Sequence, residues 1–132
     1  MNRKATMLAA GVAAILATAV LALAAGQQAA YAANVNIDIV SGASTKTNDA
    51  FSPNPGQAHV GDTVVWTNKD GAIHTVESGA NGTPDGKFGV KPDKSPELIP
   101  PGKTLEFKPT EAGDFKYFCS LHPAMVGELK VS

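Results

Sequence analysis

From residue 34 onward the chain consists of short runs of alternating apolar and polar residues. Each run has four to six residues, and Gly, Pro, Asn and Asp separate one run from the next. The expected strands are 35–40, 63–67, 74–77, 104–108, 114–118 and 126–131. Short strands with turn residues between them predict an all-β sandwich or barrel, and no long helical period competes with that interpretation.

Turn-forming pairs mark the ends of these strands, among them Gly61-Asp62, Asp70-Gly71 and Pro101-Gly102. The segment 79–96 is rich in Gly, Pro, Asp and Lys, and we expect it to be a surface loop with little regular structure. Two sheets should pack face to face. Trp66 and Tyr117 are candidates for the core between them.

The first part of the chain has a different composition. Arg3 and Lys4 precede an uncharged apolar run at 5–25, and Ala30-Tyr31-Ala32 then places small residues at the −3 and −1 positions of a cleavage site. A basic start, an apolar middle and a small-residue exit are typical of a secretory signal peptide, cut after Ala32 or one residue later. The alternative is an uncleaved membrane anchor, because ~20 apolar residues are enough to span a bilayer.

We therefore divide the chain into 1–32, a signal peptide or membrane anchor, and 33–132, one exported domain. The domain has nine Lys, no Arg and twelve acidic residues, which gives a formal net charge of −3 with His neutral. This balance argues against nucleic-acid binding, which favours clustered basic residues. The chain has one cysteine, Cys119. A single thiol in an exported domain is either buried and inert or binds something.

This cysteine begins the most informative stretch of the sequence, in which Cys119, His122 and Met125 follow one another at intervals of three. On a helix, residues six positions apart are separated by ~9 Å along the axis, too far for three side chains to meet one ion. Pro123 also opposes a helix through this point. A tight loop at the end of the strand 114–118 would bring the three side chains together.

A fourth ligand must come from one of the two other histidines. His74 follows the Asp70-Gly71 turn, whereas His59 lies on the far side of the strand that contains Trp66. Because one strand separates the two histidines, they should lie near opposite ends of the sandwich. We expect His74 to join the cysteine loop and His59 to have a surface or structural role.

The donor set His74, Cys119, His122 and Met125 contains two imidazoles, one thiolate and one thioether. Two His and one Cys in a trigonal arrangement, with a weak axial Met, describe a blue-copper electron-transfer site, so the expected cofactor is one copper ion. Zinc sites more often have Cys or a carboxylate in place of Met. With three His and one Cys, the chain lacks the ligands of a binuclear copper domain, a multicopper oxidase or a copper nitrite reductase. We therefore do not expect an enzyme.

At these residues the chain resembles the small cupredoxins, the group of plastocyanin, pseudoazurin and amicyanin, whose fold is a Greek-key β-sandwich. The resemblance covers about 51–132 and rests on three segments: 51–53 with 60–68, the turn and strand around His74, and 113–127. The third segment is the most specific. Its two-residue gaps on both sides of His122 are most similar to amicyanin.

The resemblance implies that His74 and His122 bind copper through ring nitrogens and Cys119 through sulfur, with Met125 as a long axial ligand. It implies that His122 is the ligand nearest to solvent, where electrons enter or leave. A small apolar docking patch would surround it, formed by Gly71, Ala72, Ile73, Leu121, Pro123 and Ala124. Such a patch suits brief encounters with a redox partner such as a cytochrome, a copper enzyme or a terminal oxidase.

The chain departs from its relatives close to the expected ligands. Thr75 replaces an Asn that usually ties the two ligand loops together, so its hydroxyl must provide the link or the link is lost. Leu121 replaces a usual Pro, and Phe115 stands where Tyr is common. Ser120 is in its expected place, and Thr75, Ser120 and Asn68 are the expected supports of the ligands.

Two other functions remain open at this point. A copper carrier or sequestration protein would use the same four ligands, but carriers tend to have exposed, Met-rich sites, and the other two Met residues, Met1 and Met7, lie in the targeting segment. A metal-free β-sandwich interaction module would leave the four-ligand pattern unexplained. We expect a monomeric electron carrier in the periplasm or at the outer face of the cytoplasmic membrane.

Overall fold

Nine strands form two sheets in residues 31–132, the part of the chain that the computed structural model describes. In chain order the strands are β1 (Asn34–Ile39), β2 (Phe51–Ser52), β3 (Gly56–Ala58), β4 (Thr63–Asn68), β5 (Glu77–Ala80), β6 (Thr83–Pro84), β7 (Thr104–Phe107), β8 (Gly113–Phe118) and β9 (Val126–Val131). One sheet has the order β2-β1-β4-β7 and the other β3-β9-β8-β5-β6. The chain therefore crosses repeatedly between sheets, as in the expected Greek-key β-sandwich.

The core lies between the two sheets, and aromatic side chains fill it. Trp66 on β4 and Tyr117 on β8 are both buried, and their rings meet edge to face with centroids 5.4 Å apart. Phe88 stacks on Trp66 at 5.3 Å, and Phe51 meets Tyr117 at 4.8 Å. The alternation in the sequence is thus explained by one face of each strand pointing into this layer.

One tight contact in the second sheet depends on a glycine. Tyr117 and Gly127 are directly opposite each other on β8 and β9. A Cβ built at Gly127 would collide with the Tyr117 ring. Glycine at this position therefore lets the aromatic ring lie across the neighbouring strand, which keeps β8 in close contact with the core.

One local prediction was wrong, and a second, the loop 79–96 with little regular structure, was right except for short paired elements. The expected strand 74–77 begins only at Glu77, and His74 instead forms an isolated antiparallel bridge with Ile99. The reason is that the chain here passes from the first sheet to the second, so its backbone first pairs with the segment before β7. The expected irregular loop 79–96 contains the strand β6, which pairs with β5, and a bridge between Val90 and Pro96.

The expected signal or anchor segment 1–32 falls outside the described residues except for its last two positions. Tyr31 is 91% exposed, and β1 begins three residues later. Within 31–132 the structure contains no helix that is both long enough and apolar enough to cross a membrane. These residues form one compact unit.

Candidate metal centre

The site is built where two segments meet at one end of the sandwich. The first is the connection 69–76 from β4 to β5, which carries His74. The second is the loop 119–125 between β8 and β9, which carries Cys119, His122 and Met125. In the second sheet the start of β5 pairs with the end of β8. The segment that leads into β5 and the loop that follows β8 therefore lie at the same end of the sheet.

Three of the four predicted ligands come together around one point. The Sγ atom of Cys119 lies 3.7 Å from Nδ1 of His74 and 3.8 Å from Nδ1 of His122. The potential ligand atoms of these three residues all lie within 4.8 Å of one another. Within 31–132, no other group of three or more His, Cys, Asp or Glu residues could hold a metal ion in this way. The two imidazole rings are tilted by 55° with centroids 4.9 Å apart, so both can face the thiol.

These distances fit a single metal ion. A metal–sulfur bond of ~2.3 Å and a metal–nitrogen bond of ~2.0 Å that meet at ~120° separate sulfur from nitrogen by ~3.7 Å. Both of the observed S···N distances agree with that value. Cys119 and His74 are fully buried and His122 is half-buried. The donors and their spacing therefore fit the trigonal part of a type 1 copper site.

Met125 closes the loop that carries the other two ligands. Its N–H donates to the His122 carbonyl at 2.9 Å, and its own carbonyl accepts from the Cys119 N–H at 3.1 Å. The side chain is fully buried in the core cluster that also includes Cys119. Met125 is therefore buried at the end of the loop that carries Cys119 and His122, and its thioether would be the weak donor of a type 1 site.

His74 is held by a carboxylate that the sequence analysis missed. Oδ2 of Asp70 lies 2.7 Å from Nε2 of His74, so the Nε2–H donates to it and Nδ1 is left facing Cys119. The hydrogen bond from His74 lowers the pKa of Asp70 to about 2, and backbone N–H donors at Gly42 and Gly71 contribute to the shift. The Asp70-Gly71 pair was interpreted only as a turn, and the four-residue spacing to His74 was the available signal.

The Cys119 sulfur and its loop are held by Thr75. The backbone N–H of Thr75 points at Sγ of Cys119 over 3.3 Å. The Thr75 hydroxyl accepts from the Ser120 N–H at 2.8 Å and lies 3.1 Å from the Ser120 Oγ. The link that relatives make with Asn is thus made here by a hydroxyl. Glu77, which also contacts the Thr75 hydroxyl, was not singled out from the sequence.

Asn68 supports the segment that carries His74, without touching a ligand. Its Nδ2 donates to the carbonyls of Ala72 and Ile99 at 2.7 and 2.8 Å, and its Oδ1 accepts from the Asp70 N–H at 2.9 Å. The side chain is 1% exposed, and buried amides of this kind need such partners. Asn68 therefore fixes the turn from which Asp70 and His74 project.

The predicted docking patch is largely exposed around the half-buried His122. Ile73 and Leu121 are 44% and 49% exposed, and Pro123 and Ala124 are also exposed. Gly71 is exposed and Ala72 is half-buried. His59 lies elsewhere: its Nδ1 is 2.8 Å from the hydroxyl of Ser132, which follows β9 at the end opposite the Cys119 loop.

A β-sandwich that carries two His, one Cys and one Met at one end is the architecture of the cupredoxins. Residues 35–132 match the family model described as copper binding proteins, plastocyanin/azurin family. The chain is similar to plastocyanin of Vicia faba, with 34% identity over 87 residues, which are 63% of this chain and 88% of that protein. The chain belongs to the plastocyanin/azurin family of copper-binding proteins.

Solved structures agree with this assignment. A purple cupredoxin from Nitrosopumilus maritimus matches with a TM-score of 0.64 and 35% identity, over 74% of this chain and 99% of that one. A copper(I) structure of an amicyanin variant matches with a TM-score of 0.56 and 25% identity, over 75% of this chain and 82% of that one. The cofactor of this family is copper, and the protein is a blue copper electron-transfer protein.

Proposed function

We propose that this protein carries single electrons between transient protein partners outside the cytoplasmic membrane, on one copper ion held by His74, Cys119, His122 and Met125. The observation that carries the proposal is the placement of the Cys119 sulfur at 3.7 and 3.8 Å from two imidazole nitrogens. Bound copper supplies a centre that accepts and releases one electron as it alternates between Cu(II) and Cu(I).

The residues around the site restrict movement of the donor atoms. Asp70 fixes the His74 ring, and Thr75 fixes the position of the Cys119 sulfur. The loop 119–125 is closed by its own backbone hydrogen bonds. Donor atoms held this firmly in the folded chain need little rearrangement when the charge at the site changes by one, which favours fast electron exchange.

His122 is the part of the site that a partner can approach. Cys119 and Met125 are fully buried, whereas His122 is half-buried between the exposed residues Leu121 and Pro123. The patch formed by Ile73, Leu121, Pro123 and Ala124 is small and apolar, which suits a short-lived complex with a cytochrome, a copper enzyme or a terminal oxidase. We propose that electrons pass through the exposed edge of His122 while the carrier remains a monomer.

A copper carrier or sequestration protein is the second candidate. It would need donors that open for metal exchange, and three of the four donors here are buried. An enzyme would need a substrate position beside the metal. With all four donors bound, a type 1 copper ion would have no ligand position left for a substrate. Electron transfer without catalysis is therefore the function that the site supports best.

The location follows from the processing of the N-terminus, which we propose occurs after Ala32. The Ala33 N–H lies 2.9 Å from Oδ1 of Asp62, whose other oxygen accepts from the His59 N–H at 2.8 Å. Cleavage of the peptide bond between Ala32 and Ala33 would turn the Ala33 nitrogen into an ammonium group. This group would lie beside the carboxylate of Asp62, a residue that is 5% exposed. Such an ion pair would hold the new N-terminus against the domain, and the cleavage itself would release the domain into the periplasm or its equivalent.

The direct test is a visible absorption spectrum of the exported protein loaded with Cu(II), combined with a redox titration. A strong band near ~600 nm that reduction bleaches reversibly is expected from a thiolate–copper site. Colourless copper that a chelator removes readily would contradict the electron-carrier function and favour the copper carrier.

A further inference from the structure

A buried carboxylate lies behind the candidate copper site. Glu77, the first residue of β5, is 3% exposed, and its Oε2 accepts a hydrogen bond of 3.0 Å from the Thr75 hydroxyl. None of the ion pairs within residues 31–132 includes Glu77. Because carboxylates are almost never buried without a partner, its contact with Thr75 is the interaction that calls for an explanation.

The Thr75 hydroxyl has three polar neighbours, and only one placement of its hydrogen satisfies all three. Its Oγ1 lies 3.0 Å from Glu77 Oε2, 2.8 Å from the Ser120 N and 3.1 Å from the Ser120 Oγ. A hydroxyl offers one hydrogen and two lone pairs, and a carboxylate oxygen only accepts. The hydrogen therefore goes to Glu77, and both lone pairs are left for the two donors of Ser120.

This arrangement decides which of the two hydroxyls, Thr75 or Ser120, donates the hydrogen bond between them. Between the hydroxyls of Thr75 and Ser120 either oxygen can donate. Since the single hydrogen of Thr75 is taken by Glu77, Ser120 is the donor in both of its contacts with Thr75. An Asn at position 75 would accept through its amide oxygen however its NH₂ group was paired, because its donor and acceptor are different atoms. The single oxygen of Thr75 offers both lone pairs to Ser120 only while its hydrogen points elsewhere. Threonine therefore needs an acceptor behind it.

The orientation matters because Thr75 and Ser120 are each adjacent to a predicted ligand. Thr75 follows His74, and its N–H points at the Cys119 sulfur over 3.3 Å. Ser120 follows Cys119. We infer that Glu77 is a positioning residue: it orients the Thr75 hydroxyl so that this one side chain ties the His74 segment to the Cys119 loop. The inference deepens the proposed function. It rests on that function only in treating the His74 segment and the Cys119 loop as the segments that carry copper ligands.

The test is hydrogen exchange of the Ser120 amide, measured by NMR in the copper-free and the Cu(I)-loaded protein. We compare Glu77→Met, which removes the acceptor, with Glu77→Gln, which keeps an acceptor oxygen. Thr75→Val and Thr75→Ser form the matching pair for the hydroxyl. The Val60 and Lys103 amides are internal controls, because they bond to Ser132 and Pro100 instead of Thr75.

Thr75→Val removes the acceptor of the Ser120 amide, which should then exchange roughly fivefold to tenfold faster. Glu77→Met keeps the Thr75 oxygen but frees its hydrogen to turn toward Ser120, so the same amide should exchange faster by a smaller factor. The control amides should keep their rates, and Thr75→Ser and Glu77→Gln should stay close to the unmodified protein. Unchanged Ser120 exchange in Glu77→Met, together with faster exchange in Thr75→Val, would overturn the inference. If Glu77→Met yields too little folded protein, Glu77→Val removes the acceptor with a residue that favours strands.

The Cu(II) absorption band gives a second reading. Glu77→Met and Thr75→Val should shift the band in the same direction, and the double variant should match Thr75→Val alone, because Glu77 acts through Thr75. Additive shifts would mean that Glu77 acts on the metal directly, which would overturn the inference. Failure to bind copper at all would contradict the proposed function but leave the exchange result in copper-free protein standing.

Discussion

The carboxylate of Asp70 accepts a hydrogen bond from Nε2 of His74 across 2.7 Å, and this contact turns the other ring nitrogen toward the Cys119 sulfur. Asp70 is itself held by the backbone N–H of Gly42. A ligand imidazole that donates to a carboxylate is fixed in tautomer and orientation, and it becomes a more basic ligand. The pair therefore connects the shape of the site to its electronic properties.

Replacement of Asp70 by Asn should raise the reduction potential of the copper-loaded protein. The amide oxygen can still accept from His74, but the negative charge that favours Cu(II) is lost. Affinity for Cu(II) should fall by roughly 10-fold to 100-fold. Redox titration and a Cu(II) competition assay measure the two effects, and Asp114→Asn, an exposed carboxylate at the end of β8 opposite Cys119, is the control. An unchanged potential would show that the charge of Asp70 does not reach the copper.

Cys119→Ala should abolish the blue absorption band, because the band arises from the thiolate–copper bond. His59→Ala is the matched control: its side chain contacts Ser132 at the other end of the domain, so the colour should remain. Visible absorption at equal copper loading distinguishes the two variants. Loss of colour in His59→Ala would contradict the assignment of His74 as the fourth ligand.

Met125→Leu should retain copper and raise the reduction potential. Leucine has a similar volume, so the buried position stays filled at a cost below ~1.5 kcal/mol, but the axial thioether that stabilises Cu(II) is absent. Redox titration measures the change, and chemical unfolding of the copper-free protein shows whether the core tolerates it. A lower potential in this variant would mean that Met125 is not an axial donor.

The exported protein should begin at Ala33 when its mass is measured. In that form, Asp62→Asn should destabilise the domain, because it removes a carboxylate whose pKa the backbone N–H groups of Ala33 and His59 hold below its usual range. A group with a lowered folded pKa stabilises the fold above its unfolded pKa and loses that effect as the pH falls. Acid unfolding of the variant should therefore depend less on pH near 4 than that of the unmodified protein. A mass that retains 1–32 would contradict cleavage.

Tyr117 should make the fold sensitive to alkali. Burial raises its pKa to about 12 from the usual 10.0. The unfolded chain loses this proton from pH 10 upward while the folded protein keeps it, so stability should fall by about 2–3 kcal/mol between pH 10 and 12. Tyr117→Phe removes the hydroxyl and should lose less stability over the same range. Urea unfolding at pH 8 and at pH 11 compares the two proteins, and equal losses in both would contradict the assignment.

The strands that were predicted from alternation are those whose two faces differ most. β1, β4, β7, β8 and β9 each place one face in the core, so their apolar residues recur at every second position. The short strands β2 and β3 have two and three residues, too few for a period to show. The segment around His74 was predicted as a strand because its residues favour that conformation, although its backbone pairs with Ile99 outside any strand.

The candidate ligands were accessible from the sequence because they depend on chemistry at short spacing. Cys119, His122 and Met125 lie within seven residues, so one tight loop is enough to bring them near one another. The supporting residues were less visible. Asp70 looks like a turn residue, with only its four-residue spacing to His74 as a signal. Glu77 looks like an ordinary position in a strand, and nothing local distinguishes it from a solvated carboxylate.

The sequence by itself determined the class of fold, the copper-type donor set and the choice of His74 over His59, because periodicity, residue chemistry and strand counting are local properties of the chain. Only the tertiary structure decided which groups hold the donors: the Asp70 carboxylate against His74, and Glu77 behind Thr75 and Ser120. The physical reason is twofold. The Thr75–Ser120 contacts join segments 45 residues apart and depend on the pairing of β5 with β8, and the short-range contacts of Asp70 and Glu77 depend on side-chain orientations that only the folded backbone fixes.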